Sequence, residues 1–469
     1  MPVFRLFRHY IPASFIILVM IEGVVLATGF YIGVYLRFSG EARAVAQHFG
    51  PLETKAAMFA GIMLLSMAAF GLYDRMSWSL EGRSAMLLRV MACFLFSIFP
   101  LSFMFYLVPT TEVWRGATLL VLSVSLLGIL ITRVVFLNVV GQDVFKRRAL
   151  VLGAGDRARN IRREDEKPQL IGVDVVGYTQ MEKGNDVISD RRLFKHDKPL
   201  RDIVREENID EIILAVDDRR KGMPVAELLD CKMDGVDVID LLTFFERETG
   251  RVKLDLMNPS WLFLSDGFRV STLRSVLKRL FDIIVSLILL PVFLPVMVFV
   301  GLAVWLEDWG RGPVFYRQVR IGENNREFNI YKFRSMSSDA EGDGVPRWAN
   351  KNDPRVTRVG AFIRKIRLDE LPQVFNILKG DMSFVGPRPE RPEFVQQLAE
   401  RYSYYNERHR MKPGLTGWAQ INYQYGESPD DAYKKLEYDL YYVKNYSIFL
   451  DLLIILHTIQ VVMTGKGAH

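Results

Sequence analysis

Two adjacent carboxylates, Asp369 and Glu370, lie in the run Arg364-Lys365-Ile366-Arg367-Leu368-Asp369-Glu370-Leu371-Pro372-Gln373. Proline is accepted in a first helical turn, where no N–H is needed, and rejected from an interior. Pro372 therefore predicts a helix starting near Asp369, and Gly380 is placed to cap its end. Asp369 then has two readings. As an N-cap it would satisfy free amides. As a nucleophile it would exploit the positive helix end, which keeps a carboxylate ionised and attracts phosphate. It would attack the β-phosphate of a nucleotide diphosphate sugar and split one displacement into two through an acyl phosphate. Two carboxylates and a pyrophosphate repel, so Mg²⁺ is expected, with Asp369 and Glu370 as its protein ligands. Arg364, Arg367 and Arg388 supply forked donors for phosphate oxygens. Spacing alone leaves capping and catalysis both open.

Other residues have weaker claims. Lys332 and Arg334 alternate with Tyr331 and Phe333, as on a half-buried strand with its basic side chains on one face. They would line the active site or meet lipid headgroups. His409, between Arg408 and Arg410, reads as surface charge. Gly153-Ala154-Gly155 follows a strand-like run and precedes a helical one, the context of a dinucleotide phosphate turn. Asp174 has the spacing of a ribose ligand but opens its strand instead of ending it. The domain is therefore read as structural or regulatory. A nucleotide-sugar dehydratase would use Tyr-x-x-x-Lys, and no tyrosine in the chain has lysine four residues on.

The elements that must position these groups begin in a membrane. Apolar runs at 11–36, 56–73, 86–107 and 116–140 approach or exceed the roughly 20 residues that cross a bilayer. A secretory signal would account for the first alone. Arg5, Arg8, Arg75, Arg83, Arg89 and Lys146–Arg148 place both ends of a four-span bundle in the cytoplasm. Glu22, inside the first run, is read as a structural polar contact of the bundle interior. Strands alternating with helices at 146–246 predict a parallel α/β, Rossmann-like domain, and 247–277 a linker. The run 283–306 carries Pro291 and Pro295 on one helix face, where each removes a donor and crowds the carbonyl four residues earlier. A sharp bend is expected, giving a re-entrant helix over 278–307 that keeps the following domain on the cytoplasmic side. The final apolar stretch, 448–463, looks interfacial. Cys93 and Cys231 allow no disulfide framework or zinc site. A net charge of +6 fits contact with anionic lipid and gives no argument for nucleic acid.

From Lys278 onward the chain resembles the bacterial sugar transferase family, the monotopic polyprenyl-phosphate sugar-1-phosphate transferases. The matching blocks are Lys278-Arg279-Leu280-Phe281-Asp282, Pro313–Tyr316 through Arg320-Ile321-Gly322, and Tyr331–Met336. They continue with Leu368–Gln373, Lys379–Pro389 and Lys412–Gln420. The four spans and the α/β domain make it similar to the long exopolysaccharide-type members. The resemblance implies a catalytic domain over 278–469 with Asp369 as covalent nucleophile, Glu370 beside it and Mg²⁺ between protein and pyrophosphate. It implies transfer of a sugar-1-phosphate from a UDP-hexose or similar donor to undecaprenyl phosphate at the inner membrane. It further implies that Arg364 contacts phosphate and that the loop Gly386-Pro387-Arg388-Pro389 binds the nucleotide. The family breaks its membrane helix at Ser-Pro. This chain has Leu294-Pro295, so Pro291 would have to provide the bend. A homodimer is expected from the spans and α/β domain. The competing reading is a nucleotide-sensing membrane scaffold without catalysis.

Overall fold

The computed structural model describes residues 3–464 except 7–8, 39–50, 74–82, 141–145, 166–171, 181–192, 195–197, 218–222, most of 258–270, 338–352 and 424–427. It forms two compact units that part between Thr249 and Gly250.

The first unit opens with four long apolar helices: α1 (Ala13–Arg37), α2 (Leu52–Ala69), α3 (Arg83–Leu107) and α4 (Arg115–Val140). Each is long and apolar enough to cross a membrane. Helices α1 and α4 approach closely because α1 carries Gly29 and Gly33, four residues apart. A Cβ on Gly33 would lie 2.5 Å from the Val121 backbone, and one on Gly29 would lie 3.1 Å from Ser125 Cα. The single acid of α1 is answered from α4. Glu22 and Arg133 are both fully buried and paired at 2.5 Å, and Arg133 also donates to the Leu72 carbonyl at 2.7 Å. Tyr73 donates to Glu22 at 2.6 Å. The structural reading of Glu22 thus has its partner.

A five-stranded parallel sheet follows, ordered β3-β2-β1-β4-β5. Its strands are β1 (Arg147–Leu152), β2 (Val173–Thr179), β3 (Leu193–Phe194), β4 (Glu211–Leu214) and β5 (Asp237–Asp240). Helix α5 (Asp156–Asp165) follows β1. Helices α6 (Leu200–Glu206) and α7 (Val225–Met233) bring Ile203, Val204, Leu228 and Cys231 to a core with Leu150, Leu152 and Ile212. The parallel, Rossmann-like sheet is as expected, and its order is that of a doubly wound half. Strand β5 passes straight into α8 (Leu241–Thr249), so Arg247, expected to begin the linker, lies inside a helix. Arg147, Glu211, Arg247 and Glu248 form one buried alternating-charge network, with contacts of 2.6–3.0 Å.

The second unit begins with α9 (Thr272–Glu307), in which Pro291 and Pro295 both lie. An antiparallel hairpin follows, β6 (Phe315–Ile321) with β7 (Glu327–Phe333), in the register Tyr316 to Lys332. Helices α10 (Arg358–Lys365) and α11 (Gln373–Lys379) come next. Strands β8 (Ser383–Val385) and β9 (Gly414–Thr416) pair in parallel across helix α12 (Pro392–Arg401). Helices α13 (Trp418–Asn422), α14 (Pro429–Asn445) and α15 (Ile448–Thr464) complete the unit. Its apolar core joins Met297, Val300 and Val304 of α9 to Phe333 of β7 and Ile363 of α10, with Leu368 and Leu371 against them.

Candidate active site

The segment around Asp369 is set by two helix ends. Thr357 caps α10, its hydroxyl accepting from the Gly360 amide at 2.9 Å. The helix stops at Ile366, and Arg367 takes a left-handed conformation, φ 59°. A non-glycine residue there costs on the order of 1–3 kcal/mol, which the surrounding packing must offset. The chain then makes a short 3₁₀ turn, Leu368–Glu370, before α11 starts at Gln373. Asp369 is therefore not the N-cap of α11, as the sequence suggested. Pro372 itself occupies that position, and the carboxylates sit on a separate turn upstream. Gly380 does end the helix in the left-handed region, φ 97°.

Asn376, fully buried on α11, ties the helix to the hairpin. Its side-chain oxygen accepts from the Tyr331 amide at 3.0 Å, and its nitrogen donates to the Asn329 carbonyl at 2.7 Å. This fixes β7 so that Lys332 reaches Glu370 Oε1 at 3.0 Å. Arg388 reaches the same oxygen at 2.9 Å, and Arg367 lies 3.9 Å from it. Asp369, 8 % exposed, carries no hydrogen bond or ion pair among the described residues. The two acids are chemically alike and differently placed: one is clamped by cations and its neighbour is free.

Their acidities diverge accordingly. Burial pushes Asp369 up, adjacent Glu370 adds to this, and Lys332, Arg367 and Arg364 pull it back in part. Burial also works against ionised Glu370, but Lys332, Arg388 and Arg367 together outweigh it and hold that carboxyl well below its ordinary value. Burial lowers the Lys332 ammonium, with Glu370 opposing. The groups that favour the ionised form of Asp369 are neighbouring cations, not a helix end. The Arg364 side chain forms no hydrogen bond or ion pair among the described residues, and its charge acts on Asp369. Mg²⁺ binds few carboxylates and leaves much of its octahedron to water and phosphate. A free Asp369 next to Glu370 fits such a site; among the described residues there is no cluster of three ligating side chains.

The loop after β8 is held by close backbone approach. The Gly386 amide donates to the Thr416 carbonyl at 2.9 Å, and the Gly414 amide to the Pro387 carbonyl at 3.0 Å. A Cβ on Gly386 would lie 2.3 Å from the Lys412 carbonyl oxygen, so only glycine fits. Arg320 donates to the Pro389 carbonyl at 3.1 Å. Gly386, Pro387 and Pro389 thus hold the segment that carries Arg388 to Glu370.

Two sequence expectations change, and the possible nucleotide turn is filled by the chain itself. Arg334 lies past the end of β7, buried, and pairs with Asp308 at 2.7 Å; it braces the chain after α9 and is not drawn to the carboxylates as Lys332 is. His409 is not surface charge. It is 5 % exposed, its Nδ1 lies 2.6 Å from Asn325 Oδ1, and burial followed by Arg408 lowers its pKa to about 3. In the first unit, Gly153 is left-handed (φ 119°) as a tight turn requires. The anion position at the start of α5 is filled from within. Asp217 accepts from the amides of Asp156 at 3.1 Å and Arg157 at 2.8 Å, and a Cβ on Gly155 would lie 1.8 Å from its oxygen. Asp174 pairs with Arg148 (3.8 Å) near the start of β1, away from the turn.

In the sequence Asn376 and Asp439 are not singled out, Arg320 stands only within a matching block, and Arg408 only as surface charge. Asp439 had a signal: it sits in helical register with buried Leu436, Leu440 and Val443.

Comparison with known proteins bears on the second unit. The family model described as bacterial sugar transferase matches residues 273–465. A UDP-N-acetylgalactosamine-undecaprenyl-phosphate N-acetylgalactosaminephosphotransferase of Aeromonas hydrophila is 43 % identical over 238 residues, 51 % of this chain and 55 % of that protein. An undecaprenyl-phosphate glucose phosphotransferase of Komagataeibacter xylinus is 39 % identical over 271 residues, 56 % of this chain and 50 % of that protein. The chain thus matches about half the length of these two relatives. The exopolysaccharide production protein PSS of Rhizobium leguminosarum bv. phaseoli is 43 % identical over 199 residues, 41 % of this chain and 98 % of that protein.

Proposed function

The chain belongs to the bacterial sugar transferase family, and from that premise we propose that it transfers a sugar-1-phosphate from a nucleotide diphosphate sugar, a UDP-hexose, to undecaprenyl phosphate. The product would prime exopolysaccharide or a related glycan. The observation that carries this reading is the buried Asp369 carboxylate, without a hydrogen-bond or ion-pair partner among the described residues, beside a Glu370 clamped by Lys332 and Arg388. The names of the relatives support the donor and acceptor classes.

An Asp369 oxygen attacks the β-phosphorus of the donor. The bond from that phosphorus to the bridging oxygen breaks, and nucleoside monophosphate leaves with the electron pair. Arg364 and Arg388 offer their donors to the phosphate oxygens, and Lys332 keeps Glu370 in place. A phosphate oxygen of undecaprenyl phosphate then attacks the phosphosugar on Asp369, which frees the carboxylate. Mg²⁺ held by Asp369 and Glu370 would supply the charge neutralisation that lets two acids meet a diphosphate.

The membrane setting follows the same reading. The four apolar helices cross the bacterial inner membrane, and α9 dips into the cytoplasmic leaflet and returns. Pro291 and Pro295, both inside α9, would supply the bend, and contacts on either side of them anchor the helix to the second unit. Arg279 donates to the Ile377 and Leu378 carbonyls at the end of α11, whereas Met297 packs in the cluster bordered by Leu371 before its start. Leu287, Ile288, Val292, Val298 and Phe299 are exposed along α9, as a lipid-facing helix requires. A homodimer through the first unit is part of the proposal.

The test uses the full chain in lipid nanodiscs with UDP-hexose, undecaprenyl phosphate and Mg²⁺. Asp369→Asn is expected to cut monophosphate release by about a thousandfold or more, as loss of a covalent nucleophile does. Full turnover by this variant would sink the reading and leave the scaffold alternative.

A further inference from the structure

Arg388 must stand beside Glu370 in every turnover, yet it sits on a loop and its side chain is 37 % exposed. A long side chain in such a place has many rotamers to lose. Its main chain is held from behind. Arg408, on the short 3₁₀ segment Tyr405–Arg410, donates through Nη2 to the Arg388 carbonyl at 2.9 Å. The same nitrogen pairs with Asp439 of α14 at 2.8 Å, and Nη1 donates to the Tyr405 hydroxyl at 2.7 Å. Arg408 and Asp439 are 5 % and 2 % exposed. One guanidinium therefore joins a core helix, a buried tyrosine and the peptide that carries the site arginine. The neighbouring Pro389 carbonyl is held by Arg320, so the Arg388–Pro389 peptide has little freedom to turn.

We propose that Arg408, fixed by Asp439, is a positioning residue: it sets the Arg388 carbonyl and so aims the Arg388 guanidinium at Glu370 and the donor phosphate. The inference rests on Arg388 as a phosphate contact. Arg408 is buried and pairs with neither acid, and its effect passes through Arg388. A plain structural ion pair would also be buried and paired, so the test must separate the two.

Arg408→Lys keeps the charge opposite Asp439 but loses the planar fork that serves three partners at once. In nanodiscs it should lower kcat/KM for the donor about 10- to 100-fold, the scale of a misplacement near 1 Å. In an Arg388→Ala background the same substitution should cost nothing more, because no guanidinium is left to aim. Equal losses in both backgrounds would show a separate structural role and overturn the proposal, as would wild-type kinetics for Arg408→Lys. Should Arg408→Lys fail to fold, Tyr405→Phe removes only one hydroxyl. It should cost about two- to threefold in the native background and nothing beside Arg388→Ala; persistence of its loss there, or no loss at all, overturns the proposal. If Arg388→Ala turns over at the wild-type rate, the premise falls and the proposal with it. An inactive Asp369→Asn would still leave the nucleophile standing.

Discussion

At the scale of single residues, Asp369 and Glu370 separate function from stability within one dipeptide. Asp369 is buried without a counterion in contact among the described residues, and its acidity is weakened first by burial and then by Glu370. A carboxyl raised in the folded state binds more protons there than in the unfolded chain, so ionising it at neutral pH works against folding. Asp369→Asn should therefore melt at the same temperature as the parent or higher while losing turnover. Glu370 is the reverse. Its carboxyl is held below the ordinary 4.5, so its stabilisation is complete above that value and is lost as pH falls through the folded value. Glu370→Gln would strand Lys332 and Arg388. Breaking a buried pair costs about 3–5 kcal/mol, and partial exposure of the two cations reduces that to roughly 2–3. In a unit of this size this is a drop of roughly 4–12 °C by thermal scan in detergent. A drop for Glu370→Gln with none for Asp369→Asn is the expected outcome; equal drops would show that Asp369 is paired after all. Turnover should also rise with pH through the raised value of Asp369, because only the carboxylate attacks. A rate flat from pH 4 to 8 would contradict this.

At the scale of elements, the motif from Leu368 to Gln373 was legible because Pro372 and Gly380 bracket a helix by backbone chemistry alone. The conformation just upstream was not, since nothing local marks Arg367 as left-handed. That residue moves the acids off α11 and onto their own turn. Lys332 was found through strand alternation, and the same alternation misled for Arg334, which falls just beyond the strand and meets Asp308. Helix α9 gives a test at this scale. Both prolines lie inside one helical segment, and replacing them with alanine favours a straight helix by roughly 3 kcal/mol each. If the prolines make the hairpin, a cysteine replacing Phe315 should resist an impermeant maleimide added outside intact cells and react after permeabilisation. With Pro291→Ala and Pro295→Ala together, outside labelling should appear and turnover should fall. Outside labelling of the parent would instead mean that α9 crosses.

At the scale of the whole molecule, pairs far apart in sequence escaped a linear reading. Glu22 was noticed, but its partner lies 111 residues on, in a run that looks almost uncharged. Asp439 and Arg408 likewise meet from separate elements, and the basic run around His409 looked solvated because its acid is elsewhere. The glycine turn is a different case. Its local pattern is right, and Asp217, 61 residues after Asp156, fills the place a phosphate would take. The scaffold alternative loses its clearest nucleotide site in this way.

The division of labour between the two units can be tested directly. The Rhizobium relative is matched over 98 % of its length by 41 % of this chain, and the family match covers only residues 273–465. All the groups argued to act, from Lys332 to Asp439, lie after Gly250. The second unit also closes its own anchors. Lys278 pairs with Asp451 of α15 at 2.6 Å, Tyr442 donates to the same carboxylate at 2.6 Å, and Asp282 accepts from Ser383 at 2.9 Å. A fragment of residues 250–469, made in membranes and moved to nanodiscs, should therefore release monophosphate with a kcat within about tenfold of the full chain, since no transition-state contact is lost. Its mass by light scattering should be that of a monomer, while the full chain should run as a dimer if the first unit supplies the interface. A well-folded but inactive fragment would place an essential group before Gly250; a dimeric fragment would move the interface into the second unit.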